Sequence, residues 1–305
     1  MLLLVQRLPA VLAKQAAPVR QGRGSPGTTV WSSLVSMSRL AWHDLPADAR
    51  TAVHEHTGPF LTSADVTTGA NSGVAVKAYT SAGPVFIKGI PTDHRQVKTQ
   101  RREAAVNPYL PPSAPKLLWH AQGGGWDLLG FELIEGSIAD FSPGSPDLPL
   151  VVAALTELAA TTCPAIPLLS LVDRYAPYTD APDLFAGDAL LHTDMAPHNV
   201  LIDSSAHLID WAWPTKGPAW ADPAVWVVRL IDAGHTPEQA DQWAARLPAF
   251  KATSPLVLAA FAEANARQWD EVQTQDPRSV WKRRMAAAAA AWRDYQSGRS
   301  VRSTT

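Results

Sequence analysis

The chain has 305 residues, with 26 Lys and Arg against 28 Asp and Glu for a formal charge of -2, and 46% of it is hydrophobic, which suits a buried core and excludes a disordered or fibrous chain. Near-neutral charge excludes a dedicated nucleic-acid binder, which needs a basic face to offset phosphate, and no run reaches the roughly 20 apolar residues of a membrane span. The single cysteine, Cys163, forms neither an internal disulfide nor a thiolate metal site alone, so a cytoplasmic protein is expected.

Residues 1–43 hold no Asp or Glu but carry Arg7, Lys14, Arg20, Arg23 and Arg39, a composition like that of a transit peptide. The preferred reading is a disordered or mis-started extension over 1–36, with Met37 opening the working protein, because the segment has no periodic apolar face. Residues 41–134 read as strands with one helix. Residues 74–79 alternate, 84–90 form a β-branched run ending on Lys88, and Ser81-Ala82-Gly83 between them is a hairpin turn. A charged helix is expected over 92–106, with Asp93 at its start, ending at Asn107-Pro108. Strands follow over 116–121 and 126–134, joined through Gly123-Gly124-Gly125.

Residues 136–149 are rich in Ser, Pro and Gly, after which the composition turns to Ala, Leu and Trp at helical spacing. This places a lobe boundary there: 37–135 before it, 136–298 after it, and a tail over 299–305. Four helices are expected to begin at a polar cap followed by proline: Asp222-Pro223, Thr236-Pro237, Ser254-Pro255 and Asp276-Pro277. A strand pair over 199–202 and 207–211 interrupts the helices, and the alanine run 286–291 belongs to a helix.

The chemistry lies in that strand pair. Leu191-His192-Thr193-Asp194 is followed by Asn199 five residues after the Asp, and Ile209-Asp210-Trp211 ends the returning strand. The hairpin brings the three polar groups together: hard oxygens of Asn199 and Asp210 suit Mg²⁺ on a nucleotide's phosphates, while Asp194 stands ready to accept a hydroxyl proton.

These residues resemble the aminoglycoside phosphotransferase family of the protein-kinase-like superfamily, whose catalytic loop reads His-Gly-Asp with Asn five residues on. The resemblance covers roughly residues 41–298. It implies an α+β, two-lobed kinase-like fold: a small antiparallel sheet with one helix, then a mainly helical lobe. It also implies ATP and Mg²⁺ as cofactors and a small-molecule hydroxyl acceptor, while the near-neutral charge and the lack of a long apolar run leave no nucleic-acid or membrane partner expected. Lys88 takes the place of the strand lysine, and Glu103 that of its helix partner, within Arg101-Arg102-Glu103-Ala104-Ala105. Taken alone, Lys88 reads as a strand-end lysine and Glu103 as a solvated residue; the downstream motif makes them a pair. The nucleotide loop is expected over 67–73, with Gly69, Ser72 and Gly73, and the hinge over 132–136, with Glu132 and Ile134. His192 is expected as a scaffold residue and Asp222 as a helix cap that also holds the catalytic loop by its backbone.

Departures from the family are visible. Thr193 replaces the usual glycine, no Arg separates His192 from Asp194, Asp210 is followed by Trp-Ala, and no Ala-Pro-Glu follows, which argues against a protein substrate. Asp173, Asp180, Asp183 and Asp188, with Tyr175 and Tyr178, are candidates to line a polycation site, although loop carboxylates are usually solvated. Macrolides, amino alcohols and sugars fit such a kinase as well, and Trp211 or Trp213 is a candidate border of the acceptor site. Two other readings stand beside this one: a catalytically silent nucleotide-binding module, and a transition-metal hydrolase using His192, Asp194, His198 and Asp210.

Overall fold

Alternation decides which side chains the amino-terminal lobe turns toward its site. The computed structural model describes residues 39–67 and 72–303; the expected extension over 1–36, the loop residue Gly69 and residues 304–305 lie outside the described residues. The lobe is a five-stranded antiparallel sheet of β1 (Phe60–Asp65), β2 (Val74–Thr80), β3 (Gly83–Pro91), β4 (Leu117–Gly123) and β5 (Trp126–Glu132), in the order β1-β2-β3-β5-β4. β2 and β3 pair without a bulge from Val74 opposite Gly89 to Thr80 opposite Gly83. β4 turns into β5 through Gly124 and Gly125 at φ of 55° and 80°, a region that side chains disfavour. Val74, Val76, Ala78, Val85, Ile87, Trp126 and Leu128 pack with α1 (Ala47–Thr57) on one face. Strand period 2 then sends Ala75, Lys77, Phe86, Lys88 and Phe131 to the opposite face, where they line a cleft.

Two elements here differ from expectation. The lobe has two helices, because α1 presents only Ala49, Ala52, Val53 and Thr57 inward and so carries little apolar signal. β1 is an edge strand with five of its six residues exposed, which leaves no alternation to read. The charged helix α2 spans Val97–Val106 rather than starting near Thr92; residues 92–96 are a turn closed by His94 N–H donating to Pro91 O at 3.0 Å, so Asp93 lies ahead of the helix.

α2 is fastened by one buried carboxylate. Asp127 on β5 is fully buried and accepts hydrogen bonds from Gln100 Nε2 at 2.7 Å, Gln122 Nε2 at 3.0 Å, His120 Nε2 at 3.2 Å and Arg101 Nε at 3.3 Å. Burial works to raise its pKa, but the bonds from Gln100 and His120 outweigh burial and hold it below the ordinary carboxylate value.

The second lobe is mainly helical: α3 (Asp147–Ala159), α4 (Leu171–Tyr175), α5 (Ala221–Asp232), α6 (Pro237–Ala244), α7 (Pro248–Lys251), α8 (Pro255–Gln275) and α9 (Val280–Ser303). Two small sheets are set among them, β10 (Ala206–Leu208) with β9 (Val200–Ile202) and β6 (Ser137–Ile138), and β7 (Leu169–Ser170) with β11 (Thr215–Gly217) and β8 (Ala189–Leu191). Thr236 forms a capping box with Gln239, and Ser254 caps α8, both as the polar-residue-then-proline pattern predicts. Asp222-Pro223 and Asp276-Pro277 are corrections. α5 begins at Ala221, so Asp222 is inside its first turn rather than its cap, and Asp276 closes the end of α8, with α9 starting only at Val280. Among the described residues no helix is long and apolar enough to cross a membrane.

Asp127→Ala is expected to destabilise the protein by about 3 kcal/mol at neutral pH, because it strands several buried donors. The depressed pKa means this stabilisation is present above the unfolded carboxylate value of about 3.9 and is lost as the pH falls through the folded one. Urea midpoints of wild type and variant should therefore converge in acid, and a pH-independent gap would show that the carboxylate's charge is not what holds α2.

Candidate active site

Sequence-distant side chains meet in one cleft of about 290 Å³ between the lobes. Lys88, Glu103 and Ser72 reach it from the sheet lobe, Asn199, Asp210 and His198 from the β9–β10 hairpin, and Glu132, Leu133, Ile134 and Gly136 from the connection between lobes. A Cβ on Gly136 would lie 2.7 Å from the Ile202 carbonyl, so only glycine lets this connection run against β9. Gly73 does not form the wall; its N–H donates to Gly89 O at 2.8 Å and its carbonyl accepts from Leu40 N at 2.7 Å.

Lys88 is 7% exposed and Glu103 3%. The ammonium forms a close ion pair with Glu103 Oε2 and a second one with Asp210 Oδ1 at 3.1 Å. Burial works to lower the lysine's pKa, but the two carboxylates outweigh it and hold the ammonium well above its ordinary value. Glu103, sharing that ammonium with Asp210, is pushed up by its burial. Its Oε1 accepts from Trp211 N at 3.3 Å, which ties α2 to the residue after Asp210.

The loop after β8 is held by backbone. Asp222 accepts His192 N–H at 2.8 Å and Thr193 N–H at 2.7 Å, one on each carboxylate oxygen, and burial raises its pKa. His192 Nδ1 accepts from Asp194 N at 3.2 Å, so its Nε2 carries the proton donated to Ile209 O at 2.8 Å. The ring also meets Trp211 edge-on at 4.6 Å. Both ring nitrogens are thus engaged in scaffolding. Among the described residues no three His, Cys, Asp or Glu side chains converge as a metal-ligand set, so the transition-metal hydrolase reading has no geometric basis.

Thr193 adopts φ 66°, a conformation that costs a side-chain-bearing residue roughly 1 kcal/mol or more. Its hydroxyl compensates by donating to Trp213 O at 3.0 Å and accepting from Arg174. Asn199 is 2% exposed and donates Nδ2 to the Asp194 carbonyl at 3.1 Å, which turns its Oδ1 away from the loop. Asp194 Oδ1 accepts from Arg229 Nη2 at 3.0 Å.

Two arginines of this site escape a sequence reading. Arg39 lines the cleft and donates to the carbonyls of Val66, just ahead of the expected nucleotide loop, and of Ser72 near its end; burial lowers its pKa against the pull of Asp210. Its signal was absorbed by the basic composition of the first 43 residues. Arg229 lies seven residues after Asp222, two turns on along the same face of α5, and that spacing could have found it. Of the expected polycation wall, the two tyrosines are a correction. Tyr175 and Tyr178 are 3% and 6% exposed and pack in the core, bonded to Asn265 and Glu271. Asp188 is paired with Lys216 at 2.7 Å. Trp211 is core on the cleft side, while half-buried Trp213 sits 5.9 Å beneath the Arg102 guanidinium.

Asp222→Ala should leave two buried N–H groups without an acceptor, at a cost of about 3 kcal/mol. A thermal or urea midpoint within a few tenths of a kcal/mol of wild type would show that the loop does not depend on that carboxylate.

No family model matches the sequence, and no curated protein matches it. Solved structures do. A thermostable mutant of aminoglycoside phosphotransferase APH(4)-Ia, in a ternary complex with AMP-PNP and hygromycin B, is similar at a TM-score of 0.53 and 14% identity over 79% of this chain and 97% of that one. Another structure of APH(4)-Ia gives 0.51 and 13% over the same shares. Spectinomycin phosphotransferase APH(9)-Ia, in complex with ADP and spectinomycin, gives 0.49 and 13% over 82% and 94%. With its five-stranded antiparallel sheet, its helical second lobe and the cleft between them, the chain has the fold of the aminoglycoside phosphotransferases.

Proposed function

We propose that the protein is a phosphotransferase that moves the γ-phosphoryl group of ATP, with Mg²⁺, onto a hydroxyl of a small molecule of the antibiotic or metabolite class. The observation that carries this is the meeting of the Lys88–Glu103 pair with Asp210 and Asn199 in one cleft, directly beside the loop that bears Asp194. The helix-anchored lysine, the amide and the second carboxylate are the parts that phosphoryl transfer needs for positioning and charge. The APH(4)-Ia complex holds AMP-PNP and hygromycin B, which supports a nucleotide and a small hydroxylated acceptor for this fold.

Lys88, kept protonated by its two carboxylates, positions the nucleotide's phosphates, and Glu103 keeps the ammonium from straying. Asn199 Oδ1 and the Asp210 carboxylate are hard oxygen donors of the kind Mg²⁺ takes, with phosphate and water oxygens completing its shell. Mg²⁺, when bound, neutralises charge on the phosphate oxygens. Ser72 and Arg39 face the same cleft, where they would flank the nucleotide's phosphates, and the backbone at Glu132 and Ile134 would border its base. The acceptor oxygen bonds to the γ-phosphorus as the bond to the bridging oxygen breaks; ADP leaves, and the hydroxyl proton passes to Asp194 and on to water. His192 and Asp222 touch no reacting group and position the loop.

ATP is expected to raise the melting temperature only when Mg²⁺ is present, and Asp210→Ala to abolish that shift; a variant that keeps the metal-dependent shift would remove Asp210 as a ligand. Asp194→Asn should lower turnover by roughly 10²–10⁴ while the nucleotide shift stays near wild type. Wild-type turnover in that variant would remove Asp194 from proton transfer and leave a nucleotide-binding module.

A further inference from the structure

One arm of the nucleotide loop leaves an edge strand. β1 pairs only with β2, five of its six residues are exposed, and just beyond it Val66 N donates to Ala75 O at 2.8 Å. A strand paired on one side is held by half the hydrogen bonds of an inner one. Further fastening comes from residues 39–42, ahead of α1. Arg39 donates from Nη1 to Val66 O and from Nε to Ser72 O at 3.3 Å. Leu40 N donates to Gly73 O at 2.7 Å, and Trp42 N to Asp65 Oδ1 at 2.9 Å. The Trp42 ring is itself anchored, edge-on to His54 of α1 at 5.6 Å and tilted on Phe60 of β1 at 4.7 Å.

Among these ties Arg39 alone brings a head group into the cleft. It is half-buried, it lines the cavity together with Val66, Ser72, Lys88 and Asp210, and its charge is near enough to interact with Asp210. The Lys88–Asp210 pair marks the end of the cleft assigned to phosphates, and residues 132–134 mark the end assigned to the base. The guanidinium therefore stands at the phosphate end. Its planar fork of donors can span two carbonyls at once, whereas lysine carries all its donors on one nitrogen.

We infer that Arg39 is a positioning residue for the nucleotide: by clamping the loop arms at Val66 and Ser72, it fixes the cleft wall at its phosphate end and sets the affinity for nucleotides that carry phosphates. The inference rests on the phosphotransferase reading and adds to that site a residue from the segment ahead of the lobe's first helix. Clamping through main-chain carbonyls fixes the path of the backbone whatever side chains the arms bear, so the effect belongs to Arg39 and not to the residues it holds.

The test uses the full chain with two probes, Mg²⁺-ATP and adenosine, and dissociation constants read from ligand-dependent melting. Arg39→Gln should weaken Mg²⁺-ATP about tenfold or more and adenosine by no more than about threefold, because adenosine does not reach the clamped end. Arg39→Lys, which keeps the charge and loses the fork, should remain at least about threefold weaker than wild type for Mg²⁺-ATP. Wild-type ATP affinity in Arg39→Gln, full recovery in Arg39→Lys, or a loss for adenosine as large as that for Mg²⁺-ATP would each overturn the inference, the last by showing that Arg39 merely supports the lobe. Should the variants fail to fold, amide exchange in the wild type decides. Mg²⁺-ATP should slow exchange at Leu40 and Gly73 and adenosine should not, and exchange unchanged by Mg²⁺-ATP would overturn the inference. Absence of any Mg²⁺-dependent ATP shift in the wild type would instead bring down the phosphotransferase reading itself.

Discussion

A lysine ammonium withdrawn from water joins the two lobes. Lys88 is 7% exposed and shared by Glu103 from α2 and Asp210 from beyond β10. A charge in such a place is tolerated only when paired, and pairing regains little more than desolvation takes away. The cluster is therefore weak as a stabilising device, and its value is positional: a fixed positive charge on the wall of the cleft. Three independent features place it. Strand parity on β3 turns Lys88 away from α1, Asp127 fastens α2 so that Glu103 reaches inward, and a left-handed φ of 60° at Asp210 presents that carboxylate to the lysine.

The same economy of position governs the loop that carries Asp194. Its backbone is bent at Thr193, where glycine would be at ease, and the strain persists because the surroundings over-determine it. Asp222 takes two successive N–H groups, His192 bonds forward to Asp194 N and across to Ile209 O, and the Thr193 hydroxyl joins Arg174 to the Trp213 carbonyl. A glycine here would relieve the backbone but leave Arg174 without that oxygen. Threonine exchanges conformational ease for a fixed guanidinium beside the loop.

What was legible in the sequence follows from which signals are local. The β2–β3 hairpin, the Gly124–Gly125 turn and the Thr236 and Ser254 caps rest on alternation and turn chemistry, while the joining of Lys88 to Glu103 rests on the family resemblance carried by the downstream motif. α1 and β1 escaped because alanine makes a weak apolar face and an exposed edge strand does not alternate. α2 reads several residues too long in the sequence because a charged turn and a charged helix start look alike until Pro91 O accepts from His94 N–H. The tyrosines beside the acidic loop looked like a ligand wall, yet Tyr175 packs against Phe185 and Phe261 as core. Composition shows that an aromatic is present and not which way its ring turns.

α5 shows how one helix sets both the geometry and the charge of the site. Its first turn bears Asp222 and its last turn Arg229, seven residues apart on one face and each at the end where the helix dipole favours its sign. The carboxylate fixes the backbone of residues 192–193, and the guanidinium fixes the side chain of Asp194. Because both fixings come from the same rigid element, a shift of α5 would move the loop and the Asp194 carboxylate together rather than separate them. Charge is matched at each fixing: Arg229 Nη2 meets Asp194 Oδ1, and across the cleft Lys88 meets Glu103 and Asp210, so the loop and the lysine are both held by ion pairs between elements far apart in sequence.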